Sequence, residues 1–169
     1  MENDEIEFVK LEEKDIPDCA EVYFSAFKIR EIVREFYRTD YYFIKYISDE
    51  EKYAYGIRYN GKIVGFLTGV QLPAFTCKYS IYLDNVAVLP EFQGKGFGTK
   101  MLNSFFESVS GEAVVGLNTY KDSNQYRFYK SLRFRDNNIV HLERTYIDLE
   151  ERIAELQKEL NEMRKKNET

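Results

Sequence analysis

The sequence predicts a mixed α/β fold in which an antiparallel meander runs into a β-α-β unit. Three observations carry that expectation. Short runs of apolar and polar alternation are interleaved with longer runs of helical period. Asn60-Gly61 stands between two apolar runs, the strongest short-range signal of a hairpin. The stretch "PEFQGKGFGTKML" (90–102) packs three glycines into five positions and links a strand pattern directly to a helix pattern.

The elements follow in order. "IEFVKL" (6–11) alternates as a short strand. "EKDIPDCAEVYFSAF" opens a helix with Asp15 as N-cap and Pro17 in the first turn, and Ile16, Ala20, Phe24 and Phe27 recur on one face. "REIVREFYRTDYYFIKYIS" is a second helical region, rich in aromatics, with a break near Thr39. "YAYGIRYNGKIVGFLTGVQL" is the hairpin, because both central turn positions want positive φ, and "KYSIYLDNVAVL" is the strand that enters the glycine loop. Beyond the loop, Met101, Leu102, Phe105, Phe106 and Val109 share one helical face, and Ser110-Gly111 ends the helix. "EAVVGLNTY" reads as a buried strand, "SNQYRFYKSL" as a short helix and "NIVHLERTYI" as a final strand. Residues 1–147 thus form one domain with the order β-α-α-β-β-β-α-β-α-β.

Residues 148–169 are a different kind of segment. Leu149, Ile153, Leu156, Leu160 and Met163 step by four and three, the a/d seam of an amphipathic helix. Glu162 and Lys166 are ordered as an i,i+4 pair, and Arg164, Lys165 and Lys166 complement the negative end of the dipole. Such a seam can pair two chains through 149–163 or dock on its own domain, and a homodimer is the expectation.

Composition narrows the function. At 169 residues, 44% of them apolar and 31% charged, the chain has the makings of a single packed domain. A net charge of −5 argues against a nucleic-acid binder living off phosphate contacts. Two cysteines, Cys19 and Cys77, have no metal spacing, and the only histidine, His141, lies in an alternating run. A histidine-based metal site or a Ser-His-Asp triad therefore has no basis. "MENDEIEFVKL" has no apolar leader, and no run approaches the length that spans a bilayer, so a cytoplasmic setting without a membrane partner is expected.

The glycine loop fits neither of two better-known phosphate motifs. Gly94-Lys95 is followed by Gly96 where a Walker A loop needs Ser or Thr, and Leu89 stands where its first glycine belongs. Thr99 stands where a dinucleotide fingerprint needs its third glycine. What remains is Q-x-x-G-x-G, Gln93 to Gly98, between a strand and a helix. Glycines there let successive N–H groups turn inward, and the helix N-terminus adds orphan donors, which suits a pyrophosphate. A tight turn without a ligand would need fewer glycines.

These residues resemble the GNAT superfamily of N-acetyltransferases. "LDNVAVLPEFQGKGFGTKMLNSFF" looks like its motif A, "NQYRFYKSLRF" looks like motif B, and "VKLEEKDIPDCAEVYFSAF" resembles its first strand and helix. Two departures stand out: Arg133 where motif B usually has Gly, and Asn124 closer to Tyr129 than the family's Asn. The resemblance implies acetyl-CoA as co-substrate. Its pyrophosphate would rest on the N–H groups from Gly94 to Thr99, including Phe97, with Gln93 and Lys95 beside them and Asn124 as a further contact. Its pantetheine arm would run along Val86, Ala87 and Val88. Tyr129 occupies the family's general-acid position. Asp84, two residues before Val86 and so on the same face by alternation, is a candidate base, and Tyr82 on that face is another. No metal is implied. The acceptor is an amine, small molecule or protein, left open by "FKIREIVREFYRTDYYFIKY" and "QLPAFTCKYS". A domain that binds acyl-CoA without turnover and recruits a partner through its C-terminal helix is the alternative.

Overall fold

A computed structural model describes residues 5–74, 77, 79–109, 113–136 and 157–158. The chain divides into two compact units, 1–133 and 134–169. The expected strand at 138–147, His141 within it, the Ser110-Gly111 helix stop and the seam residues Leu149, Ile153, Leu156, Leu160 and Met163 lie outside the described residues. Everything below concerns the first unit.

Five strands form one sheet in the order β1-β2-β3-β4-β5. They are β1 (Ile6–Lys10), β2 (Lys52–Tyr59), β3 (Lys62–Leu72), β4 (Tyr79–Val88) and β5 (Ala113–Leu117). The first four are antiparallel neighbours, and β5 joins β4 in parallel. The helices are α1 (Ile16–Ala26), α2 (Thr39–Ile47), α3 (Phe97–Ser108) and α4 (Asn124–Ser131). Through α4 this is the order expected from the sequence.

The β2–β3 hairpin turns on Asn60 and Gly61, with φ of 47° and 83°, the pair of positive values that a type I′ turn demands. Phe43 of α2 meets Phe66 of β3 edge to face at 5.0 Å. On the opposite face, Phe105 of α3 packs against Tyr53 and Tyr55 of β2. Phe43, Phe66, Leu67, Met101, Leu102 and Phe105 are among the fully buried side chains, so both faces of β3 are core. The expected apolar face of α3 is the one observed.

Helix α1 differs from expectation in two ways. Its core contacts come from buried Cys19 and Val22 rather than from Phe24 and Phe27. Phe27 stays 47% exposed, while Phe24 packs edge-on against Tyr37. The helix lies against β3 and β4, and the smaller side chains are the ones that permit that approach. Asp15 precedes α1 but does not cap it with its side chain. Its buried carboxylate instead accepts the Glu12 N–H and pairs with the half-buried Arg58 of β2 at 2.9 Å.

The second helical region breaks where Arg38 turns out of the helical conformation. A 3-10 segment covers Glu31–Phe36, Tyr37 is extended, and α2 starts at Thr39.

Candidate active site

The sheet opens along β4. Strand β5 pairs with β4 only from Tyr79 to Leu83, whereas β3 follows β4 to Val88. Among the described residues, nothing pairs with 84–88 on the β5 side. The Leu89 N–H donates to Val64 across β3. By the alternation of an antiparallel ladder, Ala87 likewise turns its N–H and C=O to β3, and Val86 and Val88 turn theirs to the open edge. The Val88 carbonyl confirms that direction, since it accepts the Gln93 side-chain amide at 2.8 Å. Of the three residues marked for a pantetheine arm, Val86 and Val88 present backbone there, and Ala87 is buried.

The glycine loop lies at the end of that edge. Gly94 and Gly96 have φ of 71° and 87°, values that other residues adopt at a cost. A Cβ on either would meet nothing within 4 Å, so both face open space. Gly96 is the N-cap of α3, and the Lys100 N–H is the first to find a helical acceptor, the Gly96 carbonyl at 2.9 Å. Among the described residues none accepts from the N–H groups of Gly94 to Thr99. Six donors, a helix N-terminus and room in front of them make a cradle that fits a pyrophosphate. Lys95 lies beside it, its Nζ 5.8 Å over the Phe92 ring. The Gln93 side chain ties the loop to the strand end.

Gly98 has a different reason to be glycine. A Cβ there would come within 3.2 Å of the Phe128 ring, so its absence lets α4 close on the first turn of α3. Tyr129, the next residue, is thereby held near the loop's helix. It is partly buried against the core, and burial pushes its phenol up to about 12. Ser123, not Asn124, caps α4 by accepting the Tyr126 N–H at 3.0 Å. Asn124 Oδ1 accepts from Arg127 at 3.3 Å. Arg133 stands at φ 70°, in the left-handed position after α4 where the motif's usual glycine carries no strain. The turn survives the substitution.

The largest departure from expectation is at Asp84. Thr68 of β3 pairs with Asn85 and Gly69 pairs with Leu83, so Asp84 is an extra residue, a β-bulge. Alternation fails across it. Val86 pairs with Leu67, which pairs in turn with Tyr55 on the α3 face. Asp84 and Asn85 both turn to the opposite face, toward α2. The Asp84 carboxylate accepts Thr68 Oγ1 at 2.9 Å and the Asn85 N–H at 3.1 Å on Oδ1. On Oδ2 it accepts the Tyr42 hydroxyl at 2.8 Å and the Tyr46 hydroxyl. The Asn85 side chain donates to the Tyr42 oxygen at 2.8 Å. Burial drives both phenols up, Tyr46 to about 12 and Tyr42 further, so both stay protonated as donors. No lysine or arginine among the described residues neutralises Asp84. Tyr82 shares its face, opposite Val70.

Beside this cluster is a cavity of about 130 Å³ between α1, α2 and β4, walled by Tyr23, Tyr37, Tyr42 and Phe43. Arg38 and Thr39 line it from the start of α2, and Asn85 lines it from the bulge. Tyr37, Arg38, Thr39, Tyr42 and Phe43 fall in the 27–46 stretch marked from sequence for the acceptor, whereas Tyr23 and Asn85 were not singled out, because only the tertiary approach of α2 to the bulge brings them in.

A sheet splayed after its fourth strand, with a glycine cradle at the splay, defines the acyl-CoA N-acyltransferase fold. The model of the Acetyltransferase (GNAT) family matches residues 16–134, and the chain belongs to that family. It is an acyltransferase with an acyl-CoA as co-substrate, which decides between the enzyme and the purely binding alternative. Solved structures agree on the fold. An aminoglycoside acetyltransferase from an uncultured soil metagenomic sample, solved with sisomicin, superposes with a TM-score of 0.69 at 21% identity, over 84% of this chain and 97% of that one. Aminoglycoside N-acetyltransferase AAC(6')-Iy in complex with CoA gives 0.70 at 10% identity, over 86% and 97%. The ribosomal-protein-alanine N-acetyltransferase of Brucella melitensis biovar Abortus 2308 gives 0.62 at 16%, over 83% and 100%. No curated protein sequence matches the chain.

Proposed function

We propose that the protein transfers an acetyl group from acetyl-CoA to a primary amine, directly, with both substrates bound together. The observation that carries this reading is the open backbone of Val86 and the Val88 N–H leading straight into the N–H groups of Gly94 to Thr99, which have no acceptor among the described residues. A donor with an amide-bearing arm and a pyrophosphate is what such a surface can hold at both ends.

The amine nitrogen attacks the thioester carbonyl, the C–S bond breaks, and one proton passes from nitrogen toward the departing sulfur. Holding the two reactants together supplies much of the acceleration. Asp84 draws the ammonium to the splay and takes, directly or through water, the proton whose loss frees the attacking lone pair. The second nitrogen proton, shed as the C–S bond breaks, passes through water to the thiolate. Each carboxylate oxygen already accepts two hydrogen bonds, so a direct contact displaces one hydroxyl donor. Tyr129 stays protonated at neutral pH. With a phenol near 12 and an ordinary thiol near about 8.5, full transfer to the thiolate is uphill. The phenol therefore acts as a hydrogen-bond donor to the leaving sulfur. Melting the protein with acetyl-CoA, CoA and NAD tests the donor: the first two raise Tm and NAD does not. Release of free thiol across a panel of amines tests turnover, and no shift with either CoA species would sink the reading.

A further inference from the structure

We propose that the acceptor is an amino acid with an apolar body of about one ring's bulk, its carboxylate on Arg38 and its amine at the Asp84 end of the cavity. The inference rests on the acetyl-transfer reading and adds the acceptor's class. Size comes first. A cavity of about 130 Å³ is close to the roughly 150 Å³ that accepts one benzene. Tyr23, Tyr37, Tyr42 and Phe43 are four of its seven lining residues, and an aromatic lining favours an apolar body over a hydroxyl-rich one.

Charge decides the rest. The two ends carry opposite signs. Arg38 makes no ion pair or hydrogen bond through its side chain among the described residues, and its guanidinium stacks on Tyr41 at 4.6 Å. Stacking occupies the face of the guanidinium and leaves the N–H edge for a bidentate carboxylate. At the other end, Asn85 lines the cavity, and the carboxyl group of its neighbour Asp84 pairs with no lysine or arginine among the described residues. Among the described residues no carboxylate lines the cavity itself. A polycationic acceptor would therefore set its further charges against Arg38 with nothing to offset them. An amino carboxylate matches both ends.

The test compares L-phenylalanine and L-leucine with phenethylamine and isoamylamine, their decarboxylated counterparts, and with spermidine and an aminoglycoside. Thiol release from acetyl-CoA is the readout. Wild-type protein is expected to give the highest kcat/KM with the amino acids, through KM. In Arg38→Gln the preference for L-phenylalanine over phenethylamine falls at least tenfold, while acetyl-CoA still raises Tm. An unchanged preference in that variant, or a wild type that prefers spermidine or the aminoglycoside, overturns the proposal and leaves acetyl transfer standing. Loss of stabilisation by acetyl-CoA in the wild type would instead overturn the reading beneath it.

Discussion

Replacing Gly96 by alanine separates the two jobs assigned to the loop. At φ 87° an alanine carries left-handed strain of about 1–2 kcal/mol. Its methyl meets nothing within 4 Å, so strain is the whole cost to the free protein. For a chain of this size that lowers Tm by about 2–8 °C. Gly61→Ala is the matched control, because that glycine has φ 83° and equally open surroundings but lies in the hairpin turn. The two variants should lose similar stability. Only Gly96→Ala puts a methyl where a pyrophosphate would rest. Losing one charge-assisted hydrogen bond costs about 1.5–3 kcal/mol, which weakens acetyl-CoA binding by about 10- to 150-fold. Calorimetric titration and melting of the two variants decide the matter. If Gly96→Ala binds acetyl-CoA as Gly61→Ala does, the loop is a strained turn and no cradle.

Four further outcomes follow from the structure. Tyr129→Phe should keep acetyl-CoA affinity and lose about tenfold or more in kcat, measured by thiol release; unchanged kcat would make Tyr129 a packing residue. Tyr46 and Tyr129 have folded values raised to about 12 from about 10, so the stability they confer is complete below pH 10 and lost as pH rises toward 12. Urea titrations across that range should show it, and Tyr46→Phe should blunt the loss. Arg133→Gly relieves a residue at φ 70° and should stabilise by about 0.5–1 kcal/mol, read as a higher urea midpoint with unchanged slope. The heptad seam at 149–163 predicts a dimer that truncation at Asp148 abolishes, which light scattering reads directly.

Much of this was legible in the chain because it is written locally. The Asn60-Gly61 turn, the α3 face from Met101 to Phe105, and the strand-loop-helix around Gly94 and Gly96 each depend on residues close in sequence. Asp84 was visible as a residue and invisible as a geometry. A strand's alternation is read on the assumption that no residue is inserted, and the bulge opposite Thr68 and Gly69 breaks it. Gly69, an isolated glycine inside the β3 run, is the local signal that could have announced it. Gly98 reads as a third phosphate glycine, and the structure adds a packing reason that the sequence hid: a Cβ there would meet Phe128, 30 positions away. Gln93 reads as a ligand contact in sequence, and its side-chain amide bonds the Val88 carbonyl, a tie that spacing alone does not show. The 27–46 stretch was marked from sequence, but the cavity beside Asp84 was beyond local reading, since its walls join α1, the Tyr37–Arg38 break, α2 and β4. A helical face can be read from periodicity, but the partner it meets cannot.

Amide hydrogen exchange with and without acetyl-CoA, resolved residue by residue, tests the donor site most directly. Protection should appear at Val86, Val88 and the amides from Gly94 to Thr99, which have no described partner in the free protein, while Ala87, already paired to β3, should change little. Protection spread evenly over the sheet, or absent from both the edge and the loop, would contradict the assignment of this surface to the acyl-CoA.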